Sequence, residues 1–397
     1  MMHPINEIRG TKSQNLAGKR IVLGITGSIA AVECVKLARE LARHGADIIP
    51  VMSQAATKIV HPDSVWFATG QKPIMELDGA VKHVELCGDS AGRADLLLIA
   101  PATANTISKI SQGVDDTPVT TMASCALGSG MPIIIVPAMH NSMYTHGIIT
   151  DNIKRLKKAG VEFVGPKMEE RKAKMASQED IVNSVLHALC PKDLKKTRIL
   201  IIAGSTREPI DDVRHISNIS SGRTGLLLAG EAYLRGADIE LWVGAGIAVP
   251  GHIKSKEFGS VKDLEKMASK AKADIIIVPA AISDFTVRPK RGKISSEKGV
   301  SVQLEPAPKI LGILRKNKDA VLVGFKAETG ITEKELETRA RKRMRDHDLD
   351  MMVANLLEDV GAETTKALII TKKKKNKFKG SKQELATEIL NRVGEGR

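Results

Sequence analysis

The sequence predicts an α/β protein made of two Rossmann-like, three-layer α/β/α domains in series. Near-continuous Ile/Val/Leu runs alternate with segments of helical period, the pattern of parallel strands buried on both faces. At 397 residues the chain is longer than one hydrophobic core usually serves. The periodicity breaks at residues 190–197, Cys-Pro-Lys-Asp-Leu-Lys-Lys-Thr, where proline and charge take over as they do in linkers. The expected domains are residues 1–190 and 191–397, with no close sequence repeat between them.

In the first domain, strands are expected at residues 20–26, 47–52, 95–100 and 132–136, with a shorter one near 161–164. The clearest helix between them is 30–43, and 178–189 closes the domain. In the second, strands are expected at 198–203, 238–243, 274–278, 320–325, 350–354 and 367–371. A helix-period run at 226–234 follows the first of these. The run 372–375, with Lys377 and Lys379, reads as an exposed turn before the last helix.

Composition excludes several classes. Hydrophobic content of 42% is ordinary for a globular chain, and no apolar run approaches the ~20 residues that cross a bilayer. Residues 1–19 lack an apolar h-region, so no secretory signal is expected. Cys34, Cys87, Cys125 and Cys190 are widely spaced without a CxxC, which speaks for a reducing cytosol and against a disulfide scaffold or zinc site. The net charge of +14 is spread along the chain and only 3% of residues are aromatic, so anionic small substrates explain the charge better than nucleic acid.

Residues 204–225 form the most informative stretch. They join a buried strand to a helix, where open α/β sheets bind ligands, and a plain crossover needs only about two to six residues. Backbone N–H groups at Ser220, Ser221 and Gly222, with Arg223 beside them, suit a phosphate. In the first domain, Gly-Ile-Thr-Gly-Ser-Ile-Ala-Ala at 24–31 has neither GxGxxG spacing nor a P-loop ending. Gly27 permits a tight turn there, and Ser28 is placed to cap a helix while donating to a phosphate. Pro-Ala-Thr-Ala-Asn at 101–105 and the pair Ser53 and Thr57 add two more polar strand ends, and three such edges make a cofactor cleft.

These motifs carry a resemblance. Thr-Arg-Glu-Pro-Ile-Asp at 206–211, Val213-Arg214, Ile-Ser-Asn at 216–218 and Ser-Ser-Gly at 220–222 resemble the phosphopantothenate–cysteine ligase motif. Gly-Ile-Thr-Gly-Ser-Ile-Ala, Ala-Pro-Ala-Thr-Ala-Asn and Pro-Ala-Met-His resemble segments of the flavin-containing cysteine decarboxylases, which many microbes fuse ahead of that ligase. The likeness spans roughly residues 19–393 and implies the bifunctional decarboxylase/ligase family of coenzyme A biosynthesis, in its archaeal form.

For the first half the resemblance implies FMN, with Gly27, Ser28, Ser53, Thr103 and Ser124 as contacts. It assigns His83 as the catalytic base that takes the substrate thiol proton. Oxidation of the thiol to a thioaldehyde creates the electron sink that decarboxylation needs, and the enethiolate is then reduced by the same flavin. Two departures stand out. His140 occupies the position of an Asn that binds the substrate carboxylate, with Asn141 one residue later. The flap at 165–175 lacks the Cys of bacterial members, which leaves the proton donor of the reductive half open.

For the second half the resemblance implies CTP-dependent formation of an acyl-cytidylate from 4′-phosphopantothenate, which cysteine then attacks. Asn218 holds that intermediate, Asp284 is a base or metal contact, Lys293 stabilises charge at the α-phosphate, and Phe325 lies near the base. The two later lysines of the Lys293 motif are Ser295 and Ser296 here. Mg²⁺ would bridge the triphosphate, chiefly through phosphate oxygens and water. The sequence does not separate CTP from ATP. The family further implies a homo-oligomer, a dodecamer among the candidate sizes, with FMN bound at a subunit contact. One rival is a flavin prenyltransferase or peptidyl-cysteine decarboxylase relative, against which the fused ligase speaks. The other is a non-catalytic regulatory module, prompted by His140 and the missing flap Cys.

Overall fold

In the computed structural model, which describes residues 3–169, 172–295, 299–360 and 363–394, the buried runs form two separate sheets. Arg171 of the flap, Ser296 of the lysine motif and Lys298 nearby lie outside the described residues. The α/β expectation is borne out, and the chain divides into compact units Met1–Cys190 and Pro191–Arg397.

The first unit carries β1 (Arg20–Ile25), β2 (Asp47–Met52), β3 (Leu96–Ala102), β4 (Ile133–Pro137) and β5 (Glu162–Phe163). All pair in parallel in the order β2-β1-β3-β4-β5. Val22, Leu97, Ile99 and Ile135 are fully buried, each contributing ~1.5–3 kcal/mol relative to exposure. The expected helix 30–43 opens instead as a 3-10 turn, Ile29–Glu33, before the α-helix Cys34–Arg43. Cys34, Leu37, Ala38, Leu41 and Ala42 then form its buried stripe.

The second unit carries β6 (Arg198–Ala203), β7 (Asp238–Gly244), β8 (Ser255–Phe258), β9 (Ile275–Val278), β10 (Val321–Glu328), β11 (Met351–Leu356), β12 (Thr364–Thr371) and β13 (Lys375–Ser381). Their order is β8-β7-β6-β9-β10-β11-β12-β13. The first six strands of that order are parallel, whereas β12 and β13 run antiparallel, which the expectation of a wholly parallel sheet missed. The lysine run is likewise not a simple turn, because Lys375, Lys377 and Lys379 lie on β13. Lysines are a common guard against edge-to-edge pairing at such a position.

The two sheets share one device at their amino ends. Asp95 Oδ2 accepts the Arg20 N–H at 2.8 Å, and Asp274 Oδ2 accepts the Arg198 N–H at 2.8 Å. An acidic residue before the third central strand thus fixes the start of the first. No described helix is long and apolar enough to cross a membrane.

Candidate active sites

Strand order locates both sites before any side chain is considered. In the first unit, chain direction switches between β1 and β3; in the second, between β6 and β9. Ligands of doubly wound sheets bind outside the carboxyl ends at such points.

At the β1/β3 switch, buried Thr26 donates its hydroxyl to the Pro101 carbonyl at 2.7 Å and accepts the Thr103 N–H at 3.1 Å. Sequence reading passed over Thr26, whose only signal was its place between two glycines. Thr103 caps the helix Ala104–Gln112 by accepting the Thr106 N–H, and Ser53 caps Gln54–Thr57 by accepting the Ala56 N–H. Thr57 spends its hydroxyl on the Gln54 carbonyl. Gly27 is required by close approach rather than by a left-handed turn: a Cβ there would lie 2.5 Å from that of Ala55. Ser28 was expected to cap the following turn, but its side chain makes no capping bond. Gly27, Ser28, Ser53 and Thr103 therefore line adjoining strand ends, and the Ala138 N–H joins the β4 edge to them through the Ala102 carbonyl at 3.0 Å.

His140 Nδ1 accepts the Ser142 N–H at 3.3 Å and lies 2.8 Å from its hydroxyl. That contact places the proton of the neutral ring on Nε2, a donor. Next to it, Asn141 has a buried Oδ1 without a hydrogen-bond partner. The flap folds back onto this segment: strand Lys172–Lys174 pairs antiparallel with Met139–His140 and with Lys167–Glu169.

His83 sits partly buried on the short helix Lys82–Cys87, with Nδ1 buried and unpartnered. The helix starts from Val81 at φ 47 and ψ 38, a left-handed conformation costly for a β-branched residue and most often retained at functional sites. Its far end docks on the helix Pro118–Gly128, where Cys87 Sγ meets Met122 Sδ at 3.6 Å and the Ser129 hydroxyl donates to the Cys87 carbonyl. Ser124 lies on the exposed side of that second helix. No hydrogen bond among the described residues links His83 or Ser124 to the hydroxyls at the switch. Burial pushes the Cys87 thiol up to about 12, and burial, then Asp115, raises that of Cys125.

At the β6/β9 switch, the long loop is not bare coil, because Arg207–Pro209 and His215–Ser217 pair as a ribbon. Ser205 bridges to Ala281, and Asn218 Nδ2 donates to the Ala281 carbonyl at 3.3 Å. The Ser217 hydroxyl donates to the Thr206 carbonyl at 2.8 Å, with Ser205 Oγ 3.1 Å from it. Beside them opens a cavity of about 360 Å³ bounded by Arg207, Ser220, Ser221 and the turn after β7. Gly222 begins the helix Arg223–Leu234 at φ 70, and Gly225 packs so tightly that a Cβ would fall 2.3 Å from that of Ala203. Arg223, expected at the phosphate, instead pairs with Glu363 at 2.6 Å, and Arg207 lines the cavity.

Three acidic side chains of this loop hold it, and sequence reading gave none of them a structural job. Buried Glu208 accepts the Val261 N–H at 2.9 Å and the Thr286 hydroxyl at 3.1 Å. Asp211 Oδ2 accepts the Ile294 N–H at 3.1 Å, and Asp212 accepts the Gly292 N–H at 2.8 Å. Exposed Lys293 lies between those two anchored residues. Asp284 is paired with Lys309 at 2.6 Å, and that ammonium holds its carboxyl below the usual range. A carboxylate so held is a weak base. Among the described residues no three His, Cys, Asp or Glu side chains converge on a metal position, so Asp284 offers a cation one contact rather than a cage. Phe325 is half-buried and packs on the core beneath Arg223–Leu234.

Two doubly wound units, with polar side chains gathered at both switch points and a cavity at the second, define a two-domain α/β protein of the doubly wound class. Residues 9–189 match the flavoprotein family, and residues 194–396 match the C-terminal domain of DNA/pantothenate metabolism flavoproteins. The chain is 47% identical to the coenzyme A biosynthesis bifunctional protein of Thermococcus kodakarensis, over 99% of both chains. It is 41% identical to that of Methanocaldococcus jannaschii, over 99% of this chain and 98% of that one. The solved DNA/pantothenate metabolism flavoprotein of Streptococcus pneumoniae is 25% identical, covering 51% of this chain and 100% of that one, at a TM-score of 0.48. The chain belongs to the family of bifunctional coenzyme A biosynthesis proteins.

Proposed function

We propose that the second unit ligates cysteine to 4′-phosphopantothenate with CTP, and that the first decarboxylates the product to 4′-phosphopantetheine. The serine-lined cavity beside Asn218, at the point where the sheet reverses, carries this reading. There Ser220, Ser221 and Arg207 would hold the triphosphate, while Asn218, fixed by Ala281, orients the acyl-cytidylate. Lys293, presented by the Asp211–Asp212 anchors, would stabilise charge spreading on the α-phosphate. Mg²⁺ would be met by phosphate oxygens with Asp284 as at most one protein ligand.

In the first unit the unpartnered His83 Nδ1 and Asn141 Oδ1 fit a site completed by bound groups. Gly27, Ser28, Ser53, Thr103 and Ser124 would hold FMN, which when bound supplies a hydride acceptor and later returns the hydride. His83 would take the substrate thiol proton, and the His140 Nε2–H, fixed by Ser142, would donate to the substrate carboxylate. Oligomers that complete the FMN site belong to this proposal. The test is an assay of the pure protein with phosphopantothenate, cysteine and either CTP or ATP, following pyrophosphate, CO₂ and phosphopantetheine. CTP-driven formation of all three supports the reading. CO₂ release without a nucleotide-dependent ligation would overturn the ligase half.

A further inference from the structure

The active-site loops occupy the carboxyl ends of β6 and β7, but the second unit has another cavity at the amino ends of the same strands. It measures about 390 Å³, within the range that takes a small ligand. Six cations line it: Arg198, Lys254, Lys256, Lys266, Lys270 and Lys272. The acidic side chains lining it are Asp238 and Glu240, with Asp274 beside Arg198. Arg198 is committed to Asp274 at 2.9 Å and Lys256 to Glu240 at 2.5 Å. The ammonium groups of Lys254, Lys266, Lys270 and Lys272 have no hydrogen-bond or ion-pair partner among the described residues. Elsewhere in this unit lysines are commonly paired, as with Lys309, Lys326, Lys366 and Lys375. Glu240 and Asp263 lie within electrostatic reach of Lys254 and Lys266, yet the wall still carries an excess of exposed positive charge that a multiply charged anion would neutralise.

We propose that this cavity is a binding site for a small polyphosphorylated anion, separate from the catalytic edge of the sheet. The cavity wall contains a reporter. Trp242 lines it, is almost fully buried, and donates its indole N–H to Glu240 at 2.9 Å. Glu240 in turn holds Lys256, so an anion that draws Lys256 inward changes the partner of the indole. The ligand is small because the space is a groove of limited volume, open on one side and flanked by one aromatic ring, without the stacking series that nucleic acid uses.

The chain has two tryptophans, and Trp66, in the first unit, is partly exposed and replaceable by Phe. The full-length Trp66→Phe protein therefore reports on Trp242 alone. Inorganic tripolyphosphate and CTP are each titrated against its fluorescence. A saturable change with tripolyphosphate is expected, weakening steeply with added salt. A change with CTP alone would assign the signal to a nucleotide site and overturn the proposal. In the same background, Lys270→Glu with Lys272→Glu should weaken tripolyphosphate binding by roughly tenfold or more per lysine, while pyrophosphate release in the ligase assay stays unchanged. An unaltered titration curve in that variant, or a response only to duplex RNA, would also overturn it.

Discussion

Asp211 reaches across more than eighty residues of chain to take the Ile294 N–H on its Oδ2 at 3.1 Å. It also accepts the N–H groups of Val213 and Arg214 on Oδ1, so one buried carboxylate shapes its own loop and the turn that presents Lys293. The backbone N–H groups of Val213 and then Ile294 hold its carboxyl below the usual range. Asp211→Asn keeps the size but not the charge. We expect cytidylate formation, read as pyrophosphate release, to fall on the order of 10²-fold through misplacement of Lys293. CO₂ release from supplied phosphopantothenoylcysteine should not change. Because the folded pKa is depressed, the stabilisation is complete above about pH 4 and fades as pH falls through the lowered value. The stability difference between the two proteins, read from urea unfolding, should therefore narrow in acid; a constant difference would remove Asp211 from this role.

Lys293 itself is the nearer test. Lys293→Gln keeps the anchored turn but deletes the ammonium, and the cytidylate-forming rate should drop by roughly 10²–10³. Pyrophosphate measured without cysteine isolates that step. An unchanged rate would assign the charge to Lys290, whose N–H is also tied to the long loop through Ile210.

His83→Asn should abolish CO₂ release and leave ligation of cysteine intact, since His83 and Lys293 lie in different compact units. The orphan Nδ1 and the left-handed Val81 are the observations on the helix Lys82–Cys87 that motivate this expectation. Loss of both activities in soluble, folded protein would end the two-site reading.

The sheets were legible because buried strands must be apolar on both faces, and Val22, Leu97, Ile201 and Ile277 are. The antiparallel strands β12 and β13 were harder to read, because Lys375, Lys377 and Lys379 on an exposed edge look like a loop. Ser53 and Thr103 could be placed at strand ends from spacing alone, and Asn218 through the motif it shares with the ligases. Thr26, Glu208 and Asp211 could not be assigned, because each works through backbone groups distant in sequence. The Arg223–Glu363 pair shows the same blindness from the other side: a cation beside a phosphate loop in sequence spends its charge elsewhere in space.

The last expectation concerns the proton that the reductive half-reaction delivers to carbon. The flap offers no cysteine, which leaves as candidate thiols Cys87, on the His83 helix, and Cys125, on the helix that Cys87 packs against. A proton donor must ionise as it acts. Burial works against this at Cys87, whose thiol is pushed up to about 12, and to a lesser degree at Cys125. Cys87 also faces Met122, a packing contact rather than a route to substrate. We therefore expect Cys87→Ser and Cys125→Ser each to retain full turnover to phosphopantetheine. Cys87→Ser should nonetheless lose ~1–3 kcal/mol of stability by burying a hydroxyl among apolar neighbours, visible as a lowered Tm. CO₂ and product mass must be followed together. A variant that releases CO₂ while the oxidised enethiol accumulates would identify its thiol as the donor and overturn the expectation.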